Sequence, residues 1–119
     1  MVVNHVLSFS ANMDPAKLQA QLEILKPGIY CGRAILHGVT YGMSLSVGWS
    51  PFYNNPEKTV EAHLLHSFEE DFYGATLQVV VEGFIREESS FNSLDELIAA
   101  IEADNTASRQ WFSAHQSVV

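Results

Sequence analysis

Two pairs of residues, each spaced two apart, mark where this sequence could do chemistry. The first is Glu61 and His63, in the run Lys58-Thr59-Val60-Glu61-Ala62-His63. Residues two apart on a strand point to the same side of a sheet. The run therefore predicts Glu61 and His63 on one side and Val60, Ala62 and Leu64 on the apolar other. A carboxylate held on a strand beside a Pro/Gly-rich loop is well placed for general-base work, because strands fix groups more rigidly than loops do. The same spacing also suits a carboxylate that merely faces solvent. The second pair is Ser10 and Asn12, where the short apolar run Val2 to Phe9 ends. In an extended segment their oxygens face one side together, and hydroxyl and amide oxygens suit a hard cation such as Mg2+. Ser and Asn are equally at home in loops and caps, so the pair leaves both readings open.

The elements that position these residues are mostly short strands. Val2 to Phe9 reads as one. Asp14-Pro15 starts a helix, with Asp as N-cap and Pro at the first helical position; Leu18, Leu22 and Leu25 share its face, and Pro27-Gly28 ends it. Gly28 to Leu36 and Val39 to Val47 form a hairpin about His37-Gly38. Thr59 to Ser67 is the extended run that carries Glu61. Ala75 to Arg86 is the most strand-like segment, with both faces largely apolar. Ser93 and Glu96 make a capping box, after which Leu94, Leu97, Ile98 and Ile101 predict a buried helical stripe. A second helical piece is expected from about Thr106 to His115. Short antiparallel strands, tight turns and terminal helices together imply a small closed or nearly closed β-barrel, one of whose ends the last helix plugs.

Composition narrows the function classes. A chain of 119 residues with 47% apolar content suits one globular domain spanning 1–119. The formal charge of −8 argues against nonspecific nucleic-acid binding, which needs basic patches. An acidic protein that handles a polyphosphate needs a metal ion to screen the repulsion. Cys31 is the single cysteine, so no intrachain disulfide can form. No apolar run approaches membrane-spanning length and the N-terminus lacks a secretory or transit pattern, so a cytoplasmic location is expected. His63 and His66, three apart on a strand, face opposite sides and make no metal pair.

The block from Gly48 to Gly74 resembles the signature of the riboflavin kinase (flavokinase) family in its eukaryotic single-function form. That signature has a Gly-Trp-x-Pro turn, an aromatic-Asn loop, Lys-Ser/Thr-x-Glu-x-His, and a Phe-x-Glu-Asp-Phe-Tyr-Gly turn. Here they stand as Gly48-Trp49-Ser50-Pro51, Phe52-Tyr53-Asn54-Asn55, Lys58 to His63, and Phe68 to Gly74. The family's Pro-Thr-Ala-Asn motif is matched by Phe9-Ser10-Ala11-Asn12, its Gly-x-Tyr strand by Gly28-Ile29-Tyr30, and its Arg-Pro-Glu by Arg86-Glu87-Glu88. The family places a glycine-rich basic loop ahead of the first of these motifs. This sequence has Asn4-His5-Val6-Leu7 there, with no Lys or Arg before Lys17, so that loop is expected to be missing.

The resemblance covers roughly Phe9 to Phe112. It implies a mainly β fold, a six-stranded Greek-key antiparallel barrel with a C-terminal helix. It further implies transfer of the ATP γ-phosphate to the riboflavin 5′-hydroxyl, giving FMN and ADP. Glu61 would then be the catalytic base, and Ser10 and Asn12 would hold Mg2+ and ATP. Trp49, Tyr53, Arg86 and Phe91 would line the flavin, though a salt-bridging Arg86 and a core Phe91 fit the residues as well. A monomer working on riboflavin and ATP is expected, without nucleic acid or membrane. A second reading is a flavin-binding paralogue that does not turn its ligand over and acts as a carrier, sensor or interaction module.

Overall fold

The computed structural model describes residues 2–10, 15–49, 58–65 and 77–115. Its elements are β1 (Val2–Ser10), α1 (Pro15–Leu22), β2 (Gly28–Leu36), β3 (Val39–Trp49), β4 (Lys58–Leu64), β5 (Leu77–Arg86) and α2 (Leu94–Ala114). Asn12, Tyr53, His66 and the turn from Phe68 to Gly74 lie outside the described residues, as does the side chain of Ser10.

The strands form one antiparallel sheet in the order β1-β5-β2-β3-β4. The chain is thus mainly β with a C-terminal helix. Among the described residues there are five strands, with β1 and β4 at the edges; a sixth strand and closure into a barrel are not seen there. The hairpin stands where the sequence predicts it. Leu36 pairs with Val39, leaving His37 and Gly38 as a two-residue turn with φ of 51° and 77°. Two positive φ values are what a type I′ turn requires, and its twist matches that of the flanking strands.

Alternation divides the sheet into two unlike faces. On β3, Met43, Leu45 and Val47 are fully buried. With Tyr30, Ala34 and Leu36 of β2, Val79 and Val81 of β5, and Leu22 and Leu25 at and beyond the end of α1, they form the apolar core. The opposite face carries Ser44 and Ser46, which pair directly with His63 and Glu61 of β4. The pattern on β4 is the one its spacing predicts, with Glu61 and His63 exposed and Val60, Ala62 and Leu64 turned toward the core. The strand ends at Leu64, and Ser67, where the sequence carries the extended run, lies outside the described residues.

The C-terminal helix departs from expectation in two ways. It is one continuous helix of 21 residues in place of two pieces. Its expected buried stripe, Leu94, Leu97, Ile98 and Ile101, is between 37% and 69% exposed. The cause lies in the sheet: beneath the first half of α2 are Ser44, Ser46, Glu61, His63 and Arg86, a polar surface that offers an apolar stripe nothing to dock on. Helix α2 is fastened through other residues and lies against β2 and β3. Asp104 pairs with Arg86, Ser44 donates to Asn105 at 3.2 Å, and Phe112 packs so closely on Gly42 that a Cβ there would lie 3.0 Å from its ring. The predicted cap is present: the Ser93 hydroxyl accepts from the Glu96 N–H at 3.2 Å, and the Glu96 carboxylate accepts from the Asn92 N–H at 3.0 Å.

Candidate functional site

The separation of α2 from the polar sheet face leaves a cavity of about 570 Å³, within the range of small-molecule sites. Its floor is the Ser44, Ser46, Glu61 and His63 square of β3 and β4. Its other wall carries apolar groups, Phe91 from the β5–α2 connection and Leu97 and Ile101 from the exposed stripe of α2, beside the polar Ser89, Ser90 and Asn105. Arg86, the last residue of β5, closes one side with Asp104 and Glu88. A cavity with a polar floor and an apolar patch of Phe91, Leu97 and Ile101 facing it suits a ligand that has both an apolar and a polar part.

Three residues predicted for the site, Glu61, Arg86 and Phe91, come together here. They reach it from β4, β5 and the connection after β5, and the strand order sets β2 and β3 between the two strands. Trp49 does not line the cavity. It follows Met43, Leu45 and Val47 in the alternation of β3, is 52% exposed, and its ring lies 5.4 Å from the Lys58 ammonium. Ser10 ends β1, where its backbone pairs with Gln78; Asn12 and Tyr53 fall outside the described residues. Among the described residues no cluster of three His, Cys, Asp or Glu side chains could hold a metal ion.

The polar groups are tightly arranged. Arg86 donates from Nε to Asp104 Oδ1 and from Nη2 to Asp104 Oδ2, both at 2.8 Å, and from Nη1 to the Glu87 carbonyl at 3.2 Å. Its guanidinium lies 5.7 Å from the centre of the Phe91 ring. Hydrogen bonding to Asp104 raises the Arg86 pKa above its ordinary value, against the opposing effect of burial, so the group is a permanent cation. Arg86 is therefore both of the things its sequence position allowed, a salt-bridging residue and a wall of the cavity. Glu88 comes so close to Gly48 that a Cβ at that position would lie 2.5 Å from its Oε1. The glycine of the Gly-Trp turn thus leaves room for a carboxylate that also faces the cavity.

Sequence reasoning missed Ser44, Ser46, Asp104, Leu97 and Ile101 as lining residues. The first two carried a signal, since they alternate with Met43, Leu45 and Val47 and so mark a polar face of a buried strand. Asp104 carried none, because an acid on a helix is ordinary. Leu97 and Ile101 carried a misleading one, being spaced as core residues are.

The flavokinase family model, described as riboflavin kinase, matches residues 7–112. Human riboflavin kinase is 44% identical over 81 residues, which are 67% of this chain and 52% of the human protein. A bifunctional riboflavin kinase/FMN phosphatase of Arabidopsis thaliana is 44% identical over 97 residues, or 80% of this chain and 25% of that protein. The chain thus spans about half the length of the human relative and a quarter of the plant one. Among solved structures, riboflavin kinase from Trypanosoma brucei aligns with a TM-score of 0.71 at 28% identity, covering 90% of this chain and 68% of that one. A match that runs from β1 through every strand and into the last turn of α2 makes this chain a member of the riboflavin kinase family.

Proposed function

We propose that this chain phosphorylates riboflavin. The ribityl 5′-hydroxyl oxygen bonds to the γ-phosphorus of ATP, the bond from that phosphorus to the β-bridging oxygen breaks, and ADP leaves. The hydroxyl proton passes to the Glu61 carboxylate, and FMN is the product. Phosphoryl transfer asks a protein mainly for positioning and charge stabilisation, so the shape and polarity of the cavity bear most on the reading.

The observation that carries it is the two-sidedness of that cavity. Riboflavin is a planar ring system with an apolar dimethylbenzene edge and a polyol chain. The ring suits the wall of Phe91, Leu97 and Ile101 with Arg86 beside it, and the polyol suits the floor of Ser44, Ser46, Glu61 and His63. An Arg plane and a Phe ring both pack well on an aromatic ligand. Tyr53 is assigned to the flavin by resemblance alone, whereas Trp49, which the resemblance assigns to it too, does not line this cavity and is given no part in it. Ser10 and Asn12 fit a hard cation by donor type, a hydroxyl and an amide oxygen, and they are assigned to Mg2+ and the ATP phosphates. Mg2+ bound with ATP screens phosphate charge that a protein of formal charge −8 would otherwise repel.

The finer fold belongs to the same proposal. Three successive strands with a fourth returning beside the first, as β5-β2-β3-β4 do, are the order of a Greek key. The resemblance to the family implies a six-stranded barrel built on it, and we assign that barrel to a single domain that works as a cytoplasmic monomer.

The test is FMN formation from riboflavin, ATP and Mg2+, followed by HPLC, with Glu61→Gln in parallel. The native protein is expected to make FMN. Loss of a general base lowers the rate by about 10²- to 10⁴-fold, and the variant should show that loss with an unchanged unfolding midpoint, since Glu61 is exposed. Absence of FMN with quenched riboflavin fluorescence would replace the kinase with a flavin-binding module. A fully active Glu61→Gln would remove Glu61 as the base.

A further inference from the structure

The geometry points to Asp104 as the positioning residue that fixes Arg86 as a flavin-facing plate and withholds it from the phosphates. This rests on the riboflavin kinase reading and deepens it at one residue pair.

An arginine that recognises a phosphate presents a free edge, from which two parallel N–H groups grip two oxygens. In Arg86 the edge formed by Nε and Nη2 is already closed by the two oxygens of Asp104, each at 2.8 Å. The Glu87 carbonyl engages Nη1 at 3.2 Å. Three of the five N–H donors of a guanidinium are thus satisfied among the described residues. Arg86 nonetheless lines the cavity, its guanidinium carbon 5.7 Å from the centre of the Phe91 ring, with the donors that remain.

Asp104 is built for this task. It is 5% exposed on α2, whereas the Arg86 side chain is 27% exposed at the cavity wall. A buried carboxylate with a bidentate partner locks the partner's plane. It also compensates the guanidinium charge, so that the group acts as a stacking and hydrogen-bonding surface for a neutral ring. A free arginine side chain carries much rotamer entropy, and a ligand that had to immobilise it would bind more weakly by about 0.5–1.5 kcal/mol, or about two- to twelvefold.

The experiment compares native protein, Asp104→Asn and Asp104→Glu. Asn keeps the shape and loses the charge and one acceptor; Glu restores the charge on a longer arm. Steady-state kinetics would give KM for riboflavin and for ATP separately. In the flavin-free protein, the Nε–Hε resonance of Arg86 would report whether its plane is held. Asp104→Asn is expected to raise KM for riboflavin by about five- to tenfold, to leave KM for ATP within about twofold, and to broaden or lose the Arg86 resonance. Asp104→Glu should recover part of each effect, and it stands in if the Asn variant fails to fold. An unchanged KM for riboflavin with the Arg86 resonance lost would overturn the positioning role. An equal rise in KM for ATP would return Arg86 to the phosphates. A native protein that leaves riboflavin fluorescence unchanged would overturn the kinase reading itself, and this inference with it, before any variant is compared.

Discussion

Lys58 shows how one residue's role depends on where its side chain ends. It stands three residues before Glu61 in the family signature, where a cation near the carboxylate proposed as the base invites a phosphate-binding role. Its ammonium is instead 3.0 Å from the Leu22 carbonyl, 2.6 Å from that of Leu25 and 3.4 Å from that of Glu23. These carbonyls lie at and just beyond the C-terminal end of α1, where that of Leu22 also accepts from the Leu25 N–H at 3.0 Å, and a cation there complements the helix dipole. Gln19 adds to the latch, donating to the Lys58 carbonyl at 2.8 Å and accepting from its N–H at 3.2 Å. Lys58 therefore ties α1 to the strand that carries Glu61. Hydrogen bonds to a charged group contribute about 1.5–3 kcal/mol. Lys58→Met is expected to destabilise the fold by about 2 kcal/mol, read as a lower urea midpoint at unchanged m-value.

At the scale of an element, α2 is held by polar and aromatic contacts and leaves its apolar first half over the cavity. Ser93 starts it as predicted, and Asp95 and Glu96 in the first turn suit the positive end of its dipole. Leu97 and Ile101 then face the cavity, where the proposed function puts the ligand, and contribute little to the core. Exposed positions change stability by roughly 0.5 kcal/mol or less on substitution. The double variant Leu97→Ser, Ile101→Ser should therefore unfold within about 1 kcal/mol of the native protein. Riboflavin affinity, measured by fluorescence quenching, should fall about tenfold or more, because each side chain loses the apolar contact that a bound ring would bury. A helix whose stripe belonged to the core would show the reverse pattern, a large loss of stability.

Across the whole molecule, the sheet separates two environments, and Cys31 reports on how well it is sealed. Its thiol is fully buried on β2. Burial, with the Glu82 carboxylate nearby, pushes its pKa from 9.0 to about 11. Tyr30, buried on the other side of the same strand, is also raised by burial. Between pH 9 and 11 the unfolded chain loses the Cys31 proton while the folded chain keeps it. The folded state then binds more protons than the unfolded one, so stability falls as pH rises. Below pH 9 the group contributes no pH dependence. The urea midpoint is expected to hold between pH 7 and about 8.5 and to drop by pH 10.5, as these shifts require. Cys31→Ala should drop less over the same interval, with Tyr30 supplying part of what remains.

Much of this architecture is legible in the sequence because strands and caps are written locally. The period-two pattern at Val60 to Leu64 was enough to turn Glu61 and His63 to one side, and Ser93 with Glu96 was enough to start a helix. His37-Gly38 marked its turn through two backbone conformations that few residue pairs accept. The family signature around Glu61 is likewise contiguous, and so is readable without a fold. Which faces meet is a different kind of information. Leu97 and Ile101 have the spacing of core residues, and only the polar sheet beneath them makes them a cavity wall. Asp104 has the look of any helical acid until β5 brings Arg86 to it. Glu61 and Arg86 share a cavity because the chain returns β5 beside β2, in the same sheet as β4 with β2 and β3 between them, and α2 lies over that face. Local periodicity assigns a side chain to a face of its own element; the strand order and the docking of α2 decide what that face meets.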